Sequence, residues 1–198
     1  MEKRSWDPDI GWKRKMVDDP MMVAFRLDDC LGLDRVGIIP YFVVDGKKYY
    51  LLAQDHKTKE LGDFGGGIKF GEGERALDAA FREWTEESRG ILSDSFYKLP
   101  RGRLEFSPAI FHPKNKTAII FVKVQPIWKD LAAIEFNNTP ALEDVNKEVS
   151  GIKWVSERNL VKLIKKEKVG MWRKIRQVLG SIDAKVLMEG IDMAAGEE

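Results

Sequence analysis

Residues 63–91 constrain the fold of this chain most, because three consecutive glycines there lead into a segment with helical periodicity. Apolar side chains recur at i, i+3, i+4 and i+7, which predicts a helix over about residues 74–88 with one face buried in a core. This stripe consists of Leu77, Ala80, Phe81 and Trp84. The glycines at residues 65–67 permit backbone conformations and close approaches that other residues resist. The stretch therefore predicts a glycine-rich turn followed by an amphipathic helix.

Three carboxylates lie on a different side of this predicted helix. Glu83, Glu86 and Glu87 share the i, i+3, i+4 relation, so their side chains fall within one turn of one another. Like charges at this spacing repel by roughly 0.2–0.5 kcal/mol per pair, and three together indicate a cation between them. Carboxylate oxygens are ligands suited to Mg²⁺ or Mn²⁺. The cluster predicts a divalent-metal site, whereas the plainer interpretation is a solvated acidic helix face.

Neighbouring residues favour the metal interpretation. Arg82 lies four residues before Glu86, where it can pair with that carboxylate and fix its rotamer. A carbonyl of Gly66 or Gly67 can turn toward the same ion, or an amide of this run toward a phosphate. We therefore predict that the glycine run and the helix build one site together.

The spacing of these residues resembles the signature of the Nudix hydrolases, which is G, five residues, E, seven residues, then R-E-apolar-x-E-E-x-G-apolar. Glu74, seven residues and Arg82-Glu83-Trp84-Thr85-Glu86-Glu87 reproduce its second half without a gap. The sequence departs from the signature at two places. The expected glycine position falls on Ile68, one residue after Gly67, and Arg89 occupies the final glycine position, with Gly90 after it.

The resemblance implies a fold, a cofactor and roles for named residues. The implied fold is an α/β/α sandwich with a mixed sheet over most of residues 36–165. The implied cofactor is Mg²⁺, for which Mn²⁺ can substitute, held by Glu83, Glu86, Glu87 and a carbonyl of Gly66 or Gly67. Glu148 stands four residues before Ile152 of an I-x-W strand, where related proteins place a base or a further metal ligand. The residues assigned to catalysis are Arg82, Glu86, Glu87 and Glu148, and Glu74 is assigned a structural role.

The other segments predict the remaining elements of such a domain. Two β-rich runs joined by Asp45-Gly46 predict a hairpin that leads into the glycine run. A central strand is predicted over residues 117–128, and the polar segment 129–147 is predicted as a loop able to close over substrate. A short strand at residues 152–155 and a helix beginning after Ser156 follow.

Composition favours one domain with extensions at its ends. The 198 residues are 43% hydrophobic, enough for a full core, and we predict an N-terminal arm at 1–34, a domain at 35–182 and a C-terminal tail at 183–198. Lys and Arg number 33 against 32 acidic residues, so bulk charge does not direct the protein to a membrane or to nucleic acid. A single cysteine, Cys30, and the lack of a long apolar run predict a cytoplasmic protein.

One basic patch stands out near the C-terminus. It comprises Lys162, Lys165, Lys166, Lys168, Arg173, Lys174 and Arg176, interleaved with apolar residues that predict two amphipathic helices broken at Gly170. The patch is either a solvated helix face or a track for an RNA backbone.

The implied substrate is a nucleoside diphosphate linked to another moiety, and three hypotheses remain open. The first is the 5′ cap of mRNA, with the basic patch contacting the RNA. The second is a small nucleotide, namely ADP-ribose, a nucleotide sugar, a dinucleoside polyphosphate or an oxidised nucleotide. The third is a Nudix-fold module that binds nucleotide or RNA without turnover.

Overall fold

A computed structural model describes residues 22–24, 32–91, 104, 107–140, 148–165, 170–180 and 191. The strands are Met22–Ala24 (β1), Arg35–Val44 (β2), Lys47–Asp55 (β3), Leu61–Gly62 (β4), Phe64–Gly67 (β5), Ala109–His112 (β6), Thr117–Lys123 (β7) and Val149–Ser156 (β8). The helices are Ala76–Glu87 (α1), Trp128–Asn138 (α2), Glu157–Lys165 (α3) and Arg173–Gly180 (α4), with 3₁₀ turns at Phe70–Glu72 and Pro113–Asn115.

The predicted hairpin is confirmed as β2 and β3. Asp45 and Gly46 join the strands with φ angles of 49° and 68°. Two consecutive residues at positive φ are the requirement of a tight two-residue turn whose twist matches that of the strands, and Asp-Gly satisfies it. The turn therefore sets the hairpin register, with Val44 opposite Lys47.

The eight described strands form one mixed sheet. Six of them follow the order β1-β6-β7-β2-β3-β4, while β5 pairs with β2 and β8 pairs with β3. The β2–β7 pair is parallel, and the other pairs are antiparallel. The two halves of β2 have different partners, because Tyr41–Val44 pairs with β3 whereas Arg35–Ile38 pairs with β5. This change of partner places the glycine strand β5 directly beside the start of β2.

Helices cover both faces of the sheet. Successive β2 residues point to opposite faces, so Ile38 belongs to one core cluster and Ile39 to the other. The first cluster includes Trp84 of α1 and Phe136 of α2. The second includes residues of α3 and α4, among them Leu160, Ile164, Ile175 and Leu179. The predicted α/β/α sandwich with a mixed sheet is therefore confirmed.

The prediction for residues 117–147 was wrong in part. The strand ends at Lys123, and α2 occupies Trp128–Asn138, where a strand end and a loop were predicted. The helix forms because Trp128, Ala132 and Phe136 recur every four residues and are buried together. Residues 141–147 of the predicted closing loop lie outside the described residues.

The ends of the chain are described at a few positions only. β1, within the predicted arm, pairs with β6 along Met22–Ala24. Ile191, within the predicted tail, is buried in the second core cluster. Residues 1–21 and 25–31 of the arm, including Cys30, and the rest of the tail lie outside the described residues, and the domain limits stay a prediction. Across the described part of the chain, each helix is too short or too polar to span a bilayer.

Candidate functional site

Strand β5 and helix α1 lie in close contact, and this contact brings the glycine run to the carboxylates. The Phe64 and Trp84 rings meet edge to face with their centroids 4.8 Å apart, which fixes the helix against the strand. A Cβ atom on Gly65 would collide with the backbone of β2, and one on Gly66 would collide with the Glu83 carboxylate. The two glycines therefore allow the backbone of β2 and a carboxylate of α1 to approach β5 from different sides.

Arg82 binds three of the signature carboxylates at once. Its Nε and Nη2 donate to the two oxygens of Glu74 at 2.7 and 3.1 Å. Its Nη1 donates to Glu83 Oε1 at 2.6 Å and to Glu86 Oε2 at 3.1 Å, so the predicted pair with Glu86 is present. Nη2 also donates to the carbonyl of Gly67 at 3.0 Å. One guanidinium thus connects the loop before the helix, the glycine strand and the acidic face.

Glu74 and Glu83, two carboxylates of this network, have pKa values shifted in opposite directions. Hydrogen bonding from Arg82 lowers the pKa of Glu74, which matches the structural role assigned to this residue. Burial raises the pKa of Glu83, and the neighbouring Glu86 adds to the effect, although Arg82 opposes it. Glu83 is therefore a carboxylate whose charge is only partly compensated by its protein neighbours.

Glu87 is the most perturbed carboxylate of the site. Its Oε2 accepts a hydrogen bond from the Gly65 amide at 2.7 Å. Burial and the nearby Asp63 raise the pKa of Glu87 to about 9, against the Gly65 hydrogen bond and the charge of Arg35, which lower it. The ionised form of Glu87 thus needs more positive charge than its protein neighbours supply.

A buried ion pair lies beneath the glycine strand. Arg35 Nη1 and Nη2 donate to the two oxygens of Asp63, both at 2.8 Å, and Nη2 also donates to the Gly65 carbonyl at 2.7 Å. Burial disfavours the charge of Arg35, but Asp63 outweighs this effect and the pKa of Arg35 is raised. The Arg35 guanidinium also lies over the Trp172 ring, 4.8 Å from its centroid.

A cavity of about 120 Å³ opens beside this pair, and we call it the acidic pocket. Five acidic residues line it, two of which are the predicted site residues Glu87 and Glu148. The full lining is Arg35, Ala53, Asp55, Glu60, Gly62, Asp63, Gly65, Glu87, Glu148, Val149 and Trp172. Glu148 is exposed immediately before β8, and its carbonyl accepts a hydrogen bond from the His56 amide at 2.7 Å.

The fold therefore divides the predicted residues between two adjoining places. Glu83 and Glu86 lie in the Arg82 network, whereas Glu87 and Glu148 line the acidic pocket. Among the residues that the structure describes, no three acidic, histidine or cysteine side chains converge as a group that could hold a metal ion. Arg82 Nη1 binds the Glu83 and Glu86 carboxylates itself.

The donor set still suits a hard divalent cation. Glu83 and Glu87 both have raised pKa values because burial penalises their charge, and a cation would relieve that penalty. Gly66 has no Cβ at the position where the Glu83 carboxylate packs, so a backbone group and a carboxylate lie side by side there. The chemistry of these residues thus fits Mg²⁺ or Mn²⁺, with the ligand roles of Glu83, Glu86, Glu87, Gly66 and Gly67 remaining predictions.

Sequence reasoning missed three residues of the site, namely Arg35, Asp63 and Trp172. Arg35 is the first residue of the buried strand β2, and a charged residue there was a usable signal because buried charges need partners. Its partner is 28 positions away, a separation that local patterns do not reveal. Trp172 reaches the pocket because its segment pairs with β4, through Leu61 N to Gly170 O at 2.9 Å and Trp172 N to Leu61 O at 2.8 Å.

The basic patch lies partly on α3 and α4. Lys162, Lys165, Arg173 and Lys174 are exposed, and Arg176 is half-buried. Lys166 and Lys168 lie outside the described residues. The Lys174 Nζ atom is 5.7 Å from the centroid of the Trp172 ring, so the basic surface of α4 begins at the wall of the acidic pocket.

Comparison with solved structures finds Nudix proteins of low sequence identity. An Ap4A hydrolase from C. elegans, in a binary complex, is 17% identical, with 79% of this chain and 98% of that chain covered and a TM-score of 0.43. The NUDIX domain of Shewanella oneidensis NrtR, complexed with ADP ribose, is 12% identical, with 79% and 88% covered and a TM-score of 0.44. A NUDIX hydrolase from Listeria monocytogenes is 14% identical, with 79% and 95% covered and a TM-score of 0.41.

No protein-family model and no curated protein sequence matches the chain. The TM-scores of these three structures are all below 0.5.

Proposed function

We propose that this protein is a divalent-metal-dependent hydrolase that cleaves the diphosphate of a nucleoside diphosphate linked to another moiety. The observation that carries the proposal is the Arg82 network, in which one guanidinium connects Glu74, Glu83, Glu86 and the Gly67 carbonyl. This is the residue set of the Nudix-like signature, assembled in space beside a pocket that contains Glu87 and Glu148.

Glu83, Glu86 and Glu87 would hold the cation, with a carbonyl of Gly66 or Gly67. When bound, the cation supplies charge neutralisation of the diphosphate and Lewis acidity toward phosphorus. Arg82 orients Glu83 and Glu86 through hydrogen bonds of 2.6 and 3.1 Å. Glu148 is assigned the proton of the attacking water, because it is the exposed predicted site residue on the pocket that Glu87 lines. In-line attack of that water on phosphorus expels a phosphorylated leaving group.

The size of the acidic pocket supports a substrate that extends beyond it. Sites that enclose a whole drug-sized ligand have volumes of roughly 300–1,000 Å³. At about 120 Å³, the acidic pocket has room for a phosphate-sized group and its water, not for a complete nucleotide. The rest of the substrate would therefore lie along the outer surface of the domain.

The 5′ cap of an RNA is the first candidate substrate. In its favour, the exposed Arg173 and Lys174 directly follow Trp172, which lines the pocket. The phosphates of an RNA chain leaving the pocket would therefore meet positive charge. Small nucleotides are the second candidate, since ADP-ribose, nucleotide sugars, dinucleoside polyphosphates and oxidised nucleotides carry the same diphosphate chemistry. The two candidates differ in whether basic residues outside the pocket contribute to binding.

Product analysis with Mg²⁺ or Mn²⁺ tests the proposal on capped RNA and on a panel of the small nucleotides. Glu86→Gln and Glu87→Gln remove a charge while preserving shape, and Lys47→Ala on the β2–β3 hairpin is a control at an exposed position. We expect each Gln variant to lose activity by about 100-fold or more, because metal ligation needs the charge. Release of the cap nucleoside as its diphosphate from capped RNA, at a rate that falls with added salt and in Lys174→Ala, would support the first candidate.

Two other outcomes have distinct meanings. Turnover of small nucleotides alone, insensitive to Lys174→Ala, would exclude the RNA cap and leave the hydrolase proposal intact. Nucleotide or RNA binding without turnover of any substrate would overturn the hydrolase proposal and favour a binding module.

A further inference from the structure

We infer that Arg35 is a positioning residue, which together with Asp63 fixes the Gly65 backbone and through it the orientation of the Glu87 carboxylate. This inference rests on the proposed function for its effect on turnover. Its structural half, the coupling from Arg35 to Gly65, stands on hydrogen bonds alone.

The contacts form a continuous chain from the ion pair to the site. Asp63 holds the Arg35 guanidinium through two bonds of 2.8 Å, and the same guanidinium donates to the Gly65 carbonyl at 2.7 Å. The Gly65 amide then donates to Glu87 Oε2 at 2.7 Å. Both backbone groups of Gly65 are therefore bonded to side chains, the carbonyl to the Arg35 guanidinium on the sheet side and the amide to the Glu87 carboxyl on α1.

The ion pair is built into the core, and the fold makes room for it. The Arg35 side chain is 8% exposed and that of Asp63 is 0% exposed. A Cβ atom on Gly37, the residue two positions after Arg35 on β2, would overlap the Asp63 carboxylate. Planar bidentate pairing holds a guanidinium more rigidly than a single contact does, so this Arg is suited to fixing a backbone position.

The Trp172 ring packs against one face of the guanidinium. Its ring centroid lies 4.8 Å from the Arg35 side chain, and its backbone is fastened to Leu61 by a hydrogen bond of 2.8 Å. The segment before α4 thereby packs against the ion pair, whose two side chains are 8% and 0% exposed. Less solvent raises the strength of the Arg35 hydrogen bonds, including the one to Gly65.

A displaced Glu87 would affect the reaction more than substrate binding. Glu87 and Glu148 line the same pocket, and their relative placement decides whether a water and a phosphorus atom are aligned. A loosened Gly65 leaves the rest of the pocket lining in place but weakens the bond that orients Glu87. The expected signature is therefore a fall in kcat at nearly constant KM.

The test compares Arg35→Lys with Asp34→Asn in the full chain. Lysine keeps the charge but loses the bidentate fork. The control removes the neighbouring carboxylate, which forms an exposed pair with Lys116 at 3.4 Å. With the substrate that the product analysis identifies, we expect Arg35→Lys to lower kcat by about 10-fold to 100-fold with KM changed less than about threefold. Asp34→Asn should leave both parameters unchanged.

A second readout does not depend on turnover. The ¹H–¹⁵N resonance of the Gly65 amide reports its hydrogen bond to Glu87, and we expect an upfield proton shift and faster amide exchange in Arg35→Lys but not in Asp34→Asn. Trp172→Leu, which leaves the ion pair itself intact, should shift the same resonance in the same direction by less. If Arg35→Lys does not fold, Trp172→Leu tests the coupling from Arg35 to Gly65 in its place.

The outcomes separate the two proposals. If no substrate is turned over but the Gly65 resonance moves as stated, the proposed function fails and the coupling from Arg35 to Gly65 holds. If turnover is found and Arg35→Lys changes neither kcat nor the Gly65 resonance, the positioning role is overturned and the hydrolase proposal is unaffected. A rise in KM alone in Arg35→Lys would also overturn the positioning role, because that result indicates that Arg35 contacts the substrate.

Discussion

The Arg89 guanidinium donates to the carbonyl of Phe136 at 3.1 Å and lies over the ring of the same residue, 4.0 Å from its centroid. The same Nη1 atom donates to the Thr139 carbonyl at 3.2 Å. Arg89 has a φ of 61°, in the left-handed region that favours glycine. The side chain thus ties the end of α1 to the end of α2, at the position where the Nudix signature has glycine.

The two effects at Arg89 are separable by substitution. Arg89→Ala keeps the left-handed strain and loses the contacts with α2, and we expect it to reduce the free energy of unfolding by about 2–3 kcal/mol. Arg89→Gly loses the same contacts but relieves the strain, so it should be more stable than Arg89→Ala by about 1 kcal/mol. Urea unfolding measures both values. A glycine variant less stable than the alanine variant would contradict the role assigned to strain.

The three glycines of β5 should respond differently to alanine. Gly65→Ala places a methyl group against the backbone of β2, which has no room to move, and should destabilise the fold by about 1–3 kcal/mol or more. Gly66→Ala meets only the end of the Glu83 side chain, so stability should change by less than about 0.5 kcal/mol while activity falls by about 10-fold or more. Gly67→Ala meets its nearest atom at 3.9 Å and serves as the control.

Thermal unfolding and turnover assays on the three purified variants check this order. Gly67→Ala should match the parent protein or exceed its stability by about 0.4–1 kcal/mol, because alanine reduces the entropy of the unfolded chain. Loss of activity in Gly67→Ala with full activity in Gly66→Ala would contradict the packing of Glu83 against Gly66.

The raised pKa of Glu87 makes the stability of the metal-free protein depend on pH. Its folded-state pKa of about 9 exceeds the ordinary value of 4.5, so the folded state binds the proton more tightly than the unfolded state does. The stabilisation is therefore fully present below about pH 4.5 and is lost as the pH rises through about 9. In a chelating buffer, we expect the Tm to fall across this range.

Glu87→Gln is the control for that experiment, because glutamine does not ionise and preserves an acceptor for the Gly65 amide. The variant should show a weaker decline of the Tm between pH 5 and 9 than the parent protein. Equal slopes would mean that another group carries the pH dependence.

Local patterns predicted the parts of the site that lie close together along the chain. The hairpin turn at Asp45-Gly46, the helix α1 and the Arg82–Glu86 pair all depend on residues a few positions apart, where turn chemistry and helical spacing act directly. The helix α2 was missed because the polar residues from Asn137 onward led the whole of 129–147 to be interpreted as a loop, although an apolar repeat runs through Trp128, Ala132 and Phe136.

The parts that could not be predicted depend on the tertiary fold. Arg35 meets Asp63 because β2 changes partner from β3 to β5, and Trp172 reaches them because its segment pairs with β4. Neither event has a local signature. The acidic pocket follows from the same pairings, so its volume and lining were not accessible from spacing alone.

Metal binding should be coupled to proton release from Glu87. With a pKa of about 9, the Glu87 carboxyl is mostly protonated at pH 7 without metal, and a divalent cation binds its ionised form. We expect the affinity for Mn²⁺ to rise with pH between 6 and 9 by up to about tenfold per unit, with about one proton released per ion bound. Calorimetry in two buffers of different ionisation enthalpy measures that proton. Glu87→Gln should bind Mn²⁺ more weakly and with little pH dependence, and a parent protein whose Mn²⁺ affinity does not change over this range would contradict a role for Glu87 as a ligand.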